Sequence, residues 1–371
     1  MIDSKIKKNL GFGCMRMKMN GDEVDYDAFS QLIDTFLENG FNYFDTAHGY
    51  LGGQSEIAIR KCLTSRHPRE SFVLTNKLST LCFETEEEIR PLFESQLEAC
   101  GVDYFDFYLM HAQNKLRHEK YKACHAYEIA EELKAAGKIR HIGISFHDTA
   151  EVLEQILTER PQIEAVQLQF NYIDYEDISV QSRACYEVCR RHGKPVIVME
   201  PVKGGCLVNR LPESARNVFD ELGDRSYASY AIRFAAGFEG IMMVLSGMNT
   251  MEQMLDNVSY MKDFEPLSDR EMEAVWKVRD IFRSMELIPC TACRYCTEVC
   301  PVGIAIPDLF ACLNGKKMFN GSGNYYNVYT RDNNKASDCL KCGRCEAICP
   351  QNIPIRDLLV EVAEVCEKKK K

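Results

Sequence analysis

Long apolar runs are missing from this sequence. No stretch approaches the roughly 20 consecutive apolar residues that a membrane-spanning helix needs, so no such span is read. No basic segment followed by a short apolar core opens the chain, and the expectation is a cytoplasmic protein without a membrane partner. Positive charge is scarce. The 45 Lys and Arg against 55 Asp and Glu give a formal net charge of -10, which argues against a nucleic-acid partner. The basic run Lys368 to Lys371 reads as a solvated end. A complete Gly-rich phosphate turn is absent too. Gly11-Phe-Gly13 has no third glycine and no helix follows it, which weighs against an open doubly wound nucleotide fold.

Cysteine, by contrast, is abundant, with 18 residues. In a short secreted chain that number would suggest disulfides. Here the chain has 371 residues, and eight of the cysteines crowd into two groups beyond residue 289. That placement reads as metal ligation in a reducing compartment.

The hydrophobic fraction of 46% supplies core for more than one domain. Up to about residue 285 the pattern alternates strand and helix. Apolar runs near residues 10, 41, 72, 105, 139, 163, 195 and 241 predict eight strands. Between them, helical spacing predicts helices at 27–39, 54–63, 84–100, 121–136, 150–159, 179–192, 226–236 and 251–260, several stopped by glycine. Strands apolar on both faces, each followed by a helix, predict a parallel sheet covered on its outside. Eight such units predict an α/β fold, a (β/α)8 TIM barrel over residues 1–285, followed by a smaller, mainly helical domain over 286–371.

In a barrel the chemistry sits where strands end. The ends read Asp45, Lys77, His111, Ser145, Gln167, Glu200 and Ser246, with Tyr50 on the loop after Asp45. A tyrosine, a lysine, an aspartate and a histidine together make a proton-transfer device. Tyrosine's ordinary pKa, near 10, is high for the task, and a lysine cation beside it favours the tyrosinate. Asp45 would keep Lys77 charged and oriented, and His111 would hydrogen-bond a substrate oxygen while Tyr50 moves the proton. Each residue alone has a plain structural reading; the four at neighbouring strand ends do not.

These segments resemble the aldo/keto reductase superfamily. The resemblance runs along the whole barrel and rests on Gly11-Phe-Gly-Cys-Met15, Asp45-Thr-Ala-His-Gly-Tyr50, Thr75-Asn-Lys77, Phe107-Tyr-Leu-Met-His111 and Gly143-Ile-Ser145. It implies a catalytic tetrad of Tyr50, Asp45, Lys77 and His111, with Tyr50 as general acid for carbonyl reduction or the reverse alcohol oxidation. It implies NAD(P)H across the barrel mouth, with Ser145 and Gln167 on the carboxamide and Met199 at the nicotinamide-stacking position. Ser246, Gly247, Met248, Gln253 and Asn257 match the stretch that holds the adenosine end. The chain departs from the family pattern at several places. Phe146 replaces the usual Asn, Met199 replaces an aromatic ring, and Ala112-Gln113 replaces an aromatic after the histidine. Gly247 and Gln253 stand where NADP-selective members carry basic residues.

The second module is a duplicated cysteine run. Cys290-x2-Cys293-x2-Cys296-x3-Cys300-Pro301 recurs as Cys339-x2-Cys342-x2-Cys345-x3-Cys349-Pro350, and the repeat continues to Leu309 and Leu358 at a 49-residue offset. Each run matches the bacterial ferredoxin pattern for a [4Fe-4S] cluster, in which the fourth cysteine ligates the other cluster. Cluster one would then use Cys290, Cys293, Cys296 and Cys349, and cluster two Cys339, Cys342, Cys345 and Cys300. Paired Cys-x2-Cys also suits zinc, but the third cysteine and the Cys-Pro ending favour iron–sulfur. The insertion at 308–338 resembles that of helical ferredoxin modules. The remaining cysteines, Cys14, Cys62, Cys185 and Cys366 among them, read as small buried apolar residues. Met15, Met17 and Met19 read as packing near the mouth.

The expected function is an oxidoreductase acting on a small-molecule carbonyl or alcohol, with the clusters serving electron transfer. A hydride carrier and one-electron clusters couple through a splitter such as a flavin, for which the sequence shows no motif. Three readings therefore stay open: a bound flavin, an electron-carrier protein as partner, or structural clusters. The alternative of another class is a redox-sensing nucleotide-binding protein with little turnover.

Overall fold

Eight short segments carry inward side chains at every second residue, and in the computed structural model they close into a cylinder. The structure describes residues 3–177, 180–318, 326–330 and 333–367. The lysine tail at 368–371 and the middle of the 308–338 insertion lie outside them. The strands are β1 (Leu10–Gly13), β2 (Tyr43–Asp45), β3 (Val73–Leu78), β4 (Phe105–Gln113), β5 (Ile139–Phe146), β6 (Ala165–Gln169), β7 (Val196–Met199) and β8 (Ile241–Ser246). All are parallel, each pairs with the next, and β1 closes the barrel by pairing with both β2 and β8. Closure leaves no edge and excludes the open doubly wound sheet.

The period of two explains how the site arises. Tyr43, Phe107, Leu109, Ala165, Ile197, Met243 and Leu245 belong to one buried cluster, which also includes Ile6. Two residues further along the same faces come Asp45 after Tyr43, His111 after Leu109, Gln167 after Ala165 and Met199 after Ile197. The packed interior thus gives way to chemistry within one inward step. Gly143 belongs to this packing: a Cβ there would stand 2.6 Å from Leu109 Cδ2 and 2.7 Å from Ala165 O. The next inward residue on β5 is Ser145.

The helices follow the expected pattern with two kinds of difference. Tyr26–Glu38 buries Phe29, Leu32, Ile33 and Phe36 and is capped by Asp25, whose carboxylate accepts from Ala28 N at 3.0 Å. The single helix expected at 121–136 is two, Lys115–Ala123 and Ala126–Ala135, broken at His125 with φ 48°. The first is strongly polar apart from buried His118 and Tyr121, so it carries little apolar periodicity to read. Helices Glu213–Asp220 and Asp269–Ser284 were also not read from the sequence.

The chain packs as two units: Met1–Pro201 with Ala228–Ser268, and Val202–Tyr227 with Asp269–Lys371. The first is the barrel. The second gathers the segment that follows β7 together with the C-terminal region, a grouping the linear division at residue 285 does not carry. Its core includes Ile288, Ile304, Ile306, Leu309, Phe310, Leu313, Ile353, Ile355, Leu359 and Val362. The duplication is visible in it: helix Ile306–Met318 and helix Ile355–Cys366 pack together, as do the short helices Tyr295–Glu298 and Arg344–Ile348. Among the described residues no helix is long and apolar enough to cross a membrane.

Candidate active site and cysteine-lined cavities

Lys77 is the centre of the barrel site. It is fully buried, and its ammonium has three hydrogen bonds: to Asp45 Oδ1 at 2.6 Å, Thr46 O at 2.8 Å and Tyr50 Oη at 3.1 Å. An ammonium has three protons, so each is assigned. Asp45 is itself held, its Oδ2 accepting from Gln167 Nε2 at 3.0 Å. The His111 ring meets the Tyr50 ring edge-on, centroids 6.0 Å apart. Its imidazole makes no hydrogen bond among the described residues. Burial and then the Lys77 cation hold His111 neutral, well below its ordinary range.

The direction at Tyr50 corrects the sequence expectation. Burial first, and the Asp45 carboxylate second, push its hydroxyl well above its ordinary value of 10.0, against the opposing pull of Arg16. The desolvation cost of a buried phenolate outweighs nearby positive charge. The Tyr50 hydroxyl is therefore held in its protonated form.

A buried polar network fixes the strand that carries Lys77. Asn76 Oδ1 accepts from Lys77 N at 2.8 Å, and Gln96 Nε2 donates to Lys77 O at 3.0 Å. Glu56, 1% exposed, accepts from Asn76 Nδ2 at 2.8 Å and bonds His48 Nδ1 at 2.8 Å. Sequence reasoning missed this group: Asn76 is marked by adjacency to Lys77, but Gln96 sits mid-helix with nothing to distinguish it. It also missed the pair of Arg16 and Glu200, 3.3 Å apart. Glu200 holds φ 56°, an uncommon backbone for a non-glycine.

The residues assigned to nucleotide binding fall in two places. At the strand ends, Ser145 Oγ accepts from Ala112 N at 2.7 Å. Gln167 spends its NH2 on Asp45, and its carbonyl oxygen makes no hydrogen bond among the described residues. A serine hydroxyl and an amide carbonyl suit a carboxamide. Phe146 is buried and Met199 half-buried. The second group surrounds the start of helix Met251–Met261. Ser246 Oγ and Asn257 Oδ1 are 2.7 Å apart, and Met248 is buried. Gln253 N donates to the N-cap Thr250 Oγ1 at 3.3 Å, while Gln253 Oε1 accepts from Asn249 N at 2.9 Å. A Cβ on Gly247 would meet nothing nearer than 3.7 Å, the neighbours being Arg16 Cβ and Gly13 O. Lys262 lies at the far end of that helix and donates to Asn39 Oδ1 at 3.2 Å.

In the second unit the eight cysteines line two cavities. Cys290, Cys293, Cys296 and Cys349 line one, with Thr291 and Gln351. Cys300, Cys339, Cys342 and Cys345 line the other. Each draws three cysteines from one run and the fourth from the other. The loops share their geometry at the repeat offset. Ala292 and Arg294 have φ 56° and 68°, and Lys341 and Gly343 have φ 54° and 77°. Ala292 N lies 3.4 Å from Cys290 Sγ, as Lys341 N does from Cys339 Sγ. Backbone N–H groups turned to sulfur suit thiolates bound to an iron–sulfur cluster.

Residues 9–280 match the model of the aldo/keto reductase family, and residues 289–353 match that of the 4Fe-4S dicluster domain. The first match spans most of the chain, and the protein belongs to the aldo/keto reductase family. The NADH-specific methylglyoxal reductase of Escherichia coli is 27% identical over 199 residues, 48% of this chain and 59% of that one. The aldo-keto reductase family 1 member C13 of Mus musculus is 29% identical over 177 residues, 42% of this chain and 52% of that one. The chain thus spans little more than half the length of these curated relatives. Among solved structures, the holo form of aldo-keto reductase AKR11C1 from Bacillus halodurans aligns with a TM-score of 0.59 at 25% identity, covering 73% of this chain and 92% of that one. An aldo-keto reductase from Klebsiella pneumoniae in complex with NADPH has a TM-score of 0.60 at 19% identity, covering 74% and 95%, a likeness of fold.

Proposed function

We propose that this protein is an NAD(P)H-linked reductase of small-molecule carbonyls, able to run in reverse on alcohols, whose second unit holds two [4Fe-4S] clusters for one-electron exchange. The observation that carries the reading is the Lys77 ammonium, which donates to Tyr50 while tied to Asp45 and Thr46. Tyr50 Oη accepts from Lys77, so its own proton is directed to a substrate carbonyl oxygen. As that proton leaves, the Lys77 cation stays beside the phenolate and stabilises it. Neutral His111 donates its ring N–H to the same oxygen. General-acid help of this kind contributes about 10²–10⁴-fold.

A bound nicotinamide supplies the hydride. Ser145 and Gln167 would hold its carboxamide, with Met199 beside the ring. Ser246, Gly247, Met248, Gln253 and Asn257 would hold the adenosine end. The lack of a basic residue at 247 and 253 favours NADH at least equally with NADPH, and the naming of the Escherichia coli relative as NADH-specific supports that choice. Ala112 gives the substrate pocket a more open wall than an aromatic would, while Gln113 is buried and donates to Tyr127 Oη at 2.7 Å.

For the clusters, Cys290, Cys293, Cys296 and Cys349 would ligate one, and Cys339, Cys342, Cys345 and Cys300 the other. The crossing of one cysteine between cavities supports this assignment over two independent zinc sites. An electron-carrier protein would be the partner, and the abundance of thiols favours the cytoplasm. Anaerobic iron, sulfide and bound-cofactor analysis with a visible spectrum, followed by steady-state NADH oxidation on methylglyoxal and related aldehydes, tests the reading. Close to eight irons per chain and carbonyl-dependent turnover are expected. Stoichiometric zinc without iron would overturn the cluster assignment. Nucleotide binding without turnover on any aldehyde or ketone would overturn the reductase.

A further inference from the structure

We propose that one-electron exchange runs through the second cysteine cavity, where Leu340, Lys341, Cys342 and Arg344 form a docking face for an acidic electron-carrier protein. This rests on the cluster reading above and adds to it the cavity, the face and the charge of the partner.

The two cavities come from one repeat but differ in what packs beside their loops and in how far those loops are exposed. Against the loop of the first packs the turn Lys203-Gly204-Gly205, all three residues in the left-handed region with φ 48°, 62° and 87°. It sits against the backbone between the first two cysteines: a Cβ on Gly204 would stand 2.3 Å from Thr291 O. Next to it Cys206 Sγ lies 3.7 Å from Cys290 O. Lys203 Nζ reaches Gln351 Oε1 at 3.3 Å, just past the fourth cysteine of this cavity. Lys203, Thr291 and Gln351 are all buried.

Among the described residues the loop of the second cavity holds the more exposed cysteine. Of the eighteen cysteines, Cys342 alone is exposed. Leu340, which also lines the cavity, is 65% exposed, unusual for a large apolar side chain. Lys341 and Arg344 flank Cys342, are exposed, and make no ion pair among the described residues. Their neighbour Arg356 is neutralised by Glu346 at 2.7 Å. An apolar tip ringed by two uncompensated cations, on a chain of net charge -10, is local positive charge that complements an acidic surface. Redox partners meet through small, charge-steered interfaces, which a loop of this size suits. In the step, the reduced carrier loses one electron and the cluster gains one; no bond breaks and no proton moves.

The test uses anaerobic holoprotein with iron quantified and the dithionite-reduced EPR signals recorded. Stopped-flow reduction is followed with a reduced plant-type [2Fe-2S] ferredoxin as the acidic probe. The variants are the double Lys341→Glu/Arg344→Glu, the milder Arg344→Gln, and Lys7→Glu, an exposed barrel lysine, as control. The double variant, with iron and EPR as in wild type, should exchange electrons roughly tenfold more slowly at low salt. The deficit should shrink as ionic strength rises through about 0.5 M. Lys7→Glu should behave as wild type. If the double variant loses iron, Arg344→Gln carries the test, with a smaller deficit of the same salt dependence. Iron-replete variants as fast as wild type at low salt would overturn the docking face and leave the cluster reading standing. Wild-type protein without iron would overturn the cluster reading itself.

Discussion

The Lys77 ammonium donates to the Tyr50 hydroxyl across 3.1 Å, a contact that leaves the hydroxyl's own proton for another acceptor. Tyr50 cannot pass its proton to a group that has no lone pair. The proton must point to the open side, where the neutral His111 ring also stands. Asp45 is 2.6 Å from the same ammonium and never faces the substrate side unpaired.

Replacing Lys77 by Met should therefore do two things. It removes the charge that stabilises the departing phenolate, and carbonyl reduction should fall by about 10²–10⁴-fold. It also leaves Asp45 buried without its cation, a change that costs about 3–5 kcal/mol. Paired with Asp45→Asn, the same substitution should regain much of the stability and none of the turnover. Thermal unfolding and steady-state rates of both variants check this, and recovered turnover in the double variant would remove Lys77 from the chemistry.

The pH dependence follows from the two shifts. Tyr50 titrates well above 10.0 and His111 well below 6.5. Reduction needs Tyr50 protonated, which it is at every pH below its raised pKa. The kcat for reduction should be flat between about pH 7 and 9.5. Oxidation needs the phenolate, scarce throughout that range, so its rate should climb with pH across it. A falling limb near pH 8 in reduction would show that Tyr50 is not held up as described.

Cofactor choice turns on charge at the adenosine end. A bidentate Arg–phosphate contact is worth roughly 1.5–3 kcal/mol. Its absence at Gly247 and Gln253 should cost about one to two decades of NADP affinity. Wild type should bind NADH at least as well as NADPH, and Gln253→Arg should shift the balance toward NADPH. Because Gln253 Oε1 accepts from Asn249 N, Gln253→Met serves as the control for losing that bond. Fluorescence titration of both reduced nucleotides measures it. A tenfold wild-type preference for NADPH would mean that another cation, Arg16 beside Gly247 being the nearest, supplies the charge.

Where strong periodicity met chemistry, the chain was readable. β8 runs from Ile241 to Ser246 as the apolar run predicts, and Asp45, Lys77 and His111 continue the inward faces of β2, β3 and β4. The cysteine runs were readable because ligand spacing is short and duplicated. What escaped was long-range. Gln96 supports Lys77 from a distant helix, and no local pattern marks it. The rise in Tyr50's pKa depends on burial that a loop sequence does not show. Helix Lys115–Ala123 is too polar to declare itself. The packing of Lys203-Gly204-Gly205 against Thr291 joins residues far apart in the chain, and only coordinates reveal it.

That packing makes its own prediction. A methyl on Gly204 cannot coexist with Thr291 O at 2.3 Å, and the residue's φ of 62° disfavours a side chain besides. Gly204→Ala should cost about 1–3 kcal/mol and disturb the loop carrying Cys290 and Cys293. Anaerobic iron content should fall toward half that of wild type, with Tyr50-dependent carbonyl reduction in the barrel retained. Full iron with wild-type stability would show that the turn is free to move aside.

In the proposed reaction Tyr50 gives the proton and does not hold the nucleotide. Tyr50→Phe measures it most directly, with steady-state carbonyl reduction and nucleotide titration performed on the same anaerobic preparation. Turnover should fall to background with NADH affinity within about twofold of wild type, since the lost hydroxyl bonds Lys77 and not a residue proposed to hold the cofactor. Turnover near that of wild type would remove Tyr50 from the proton transfer.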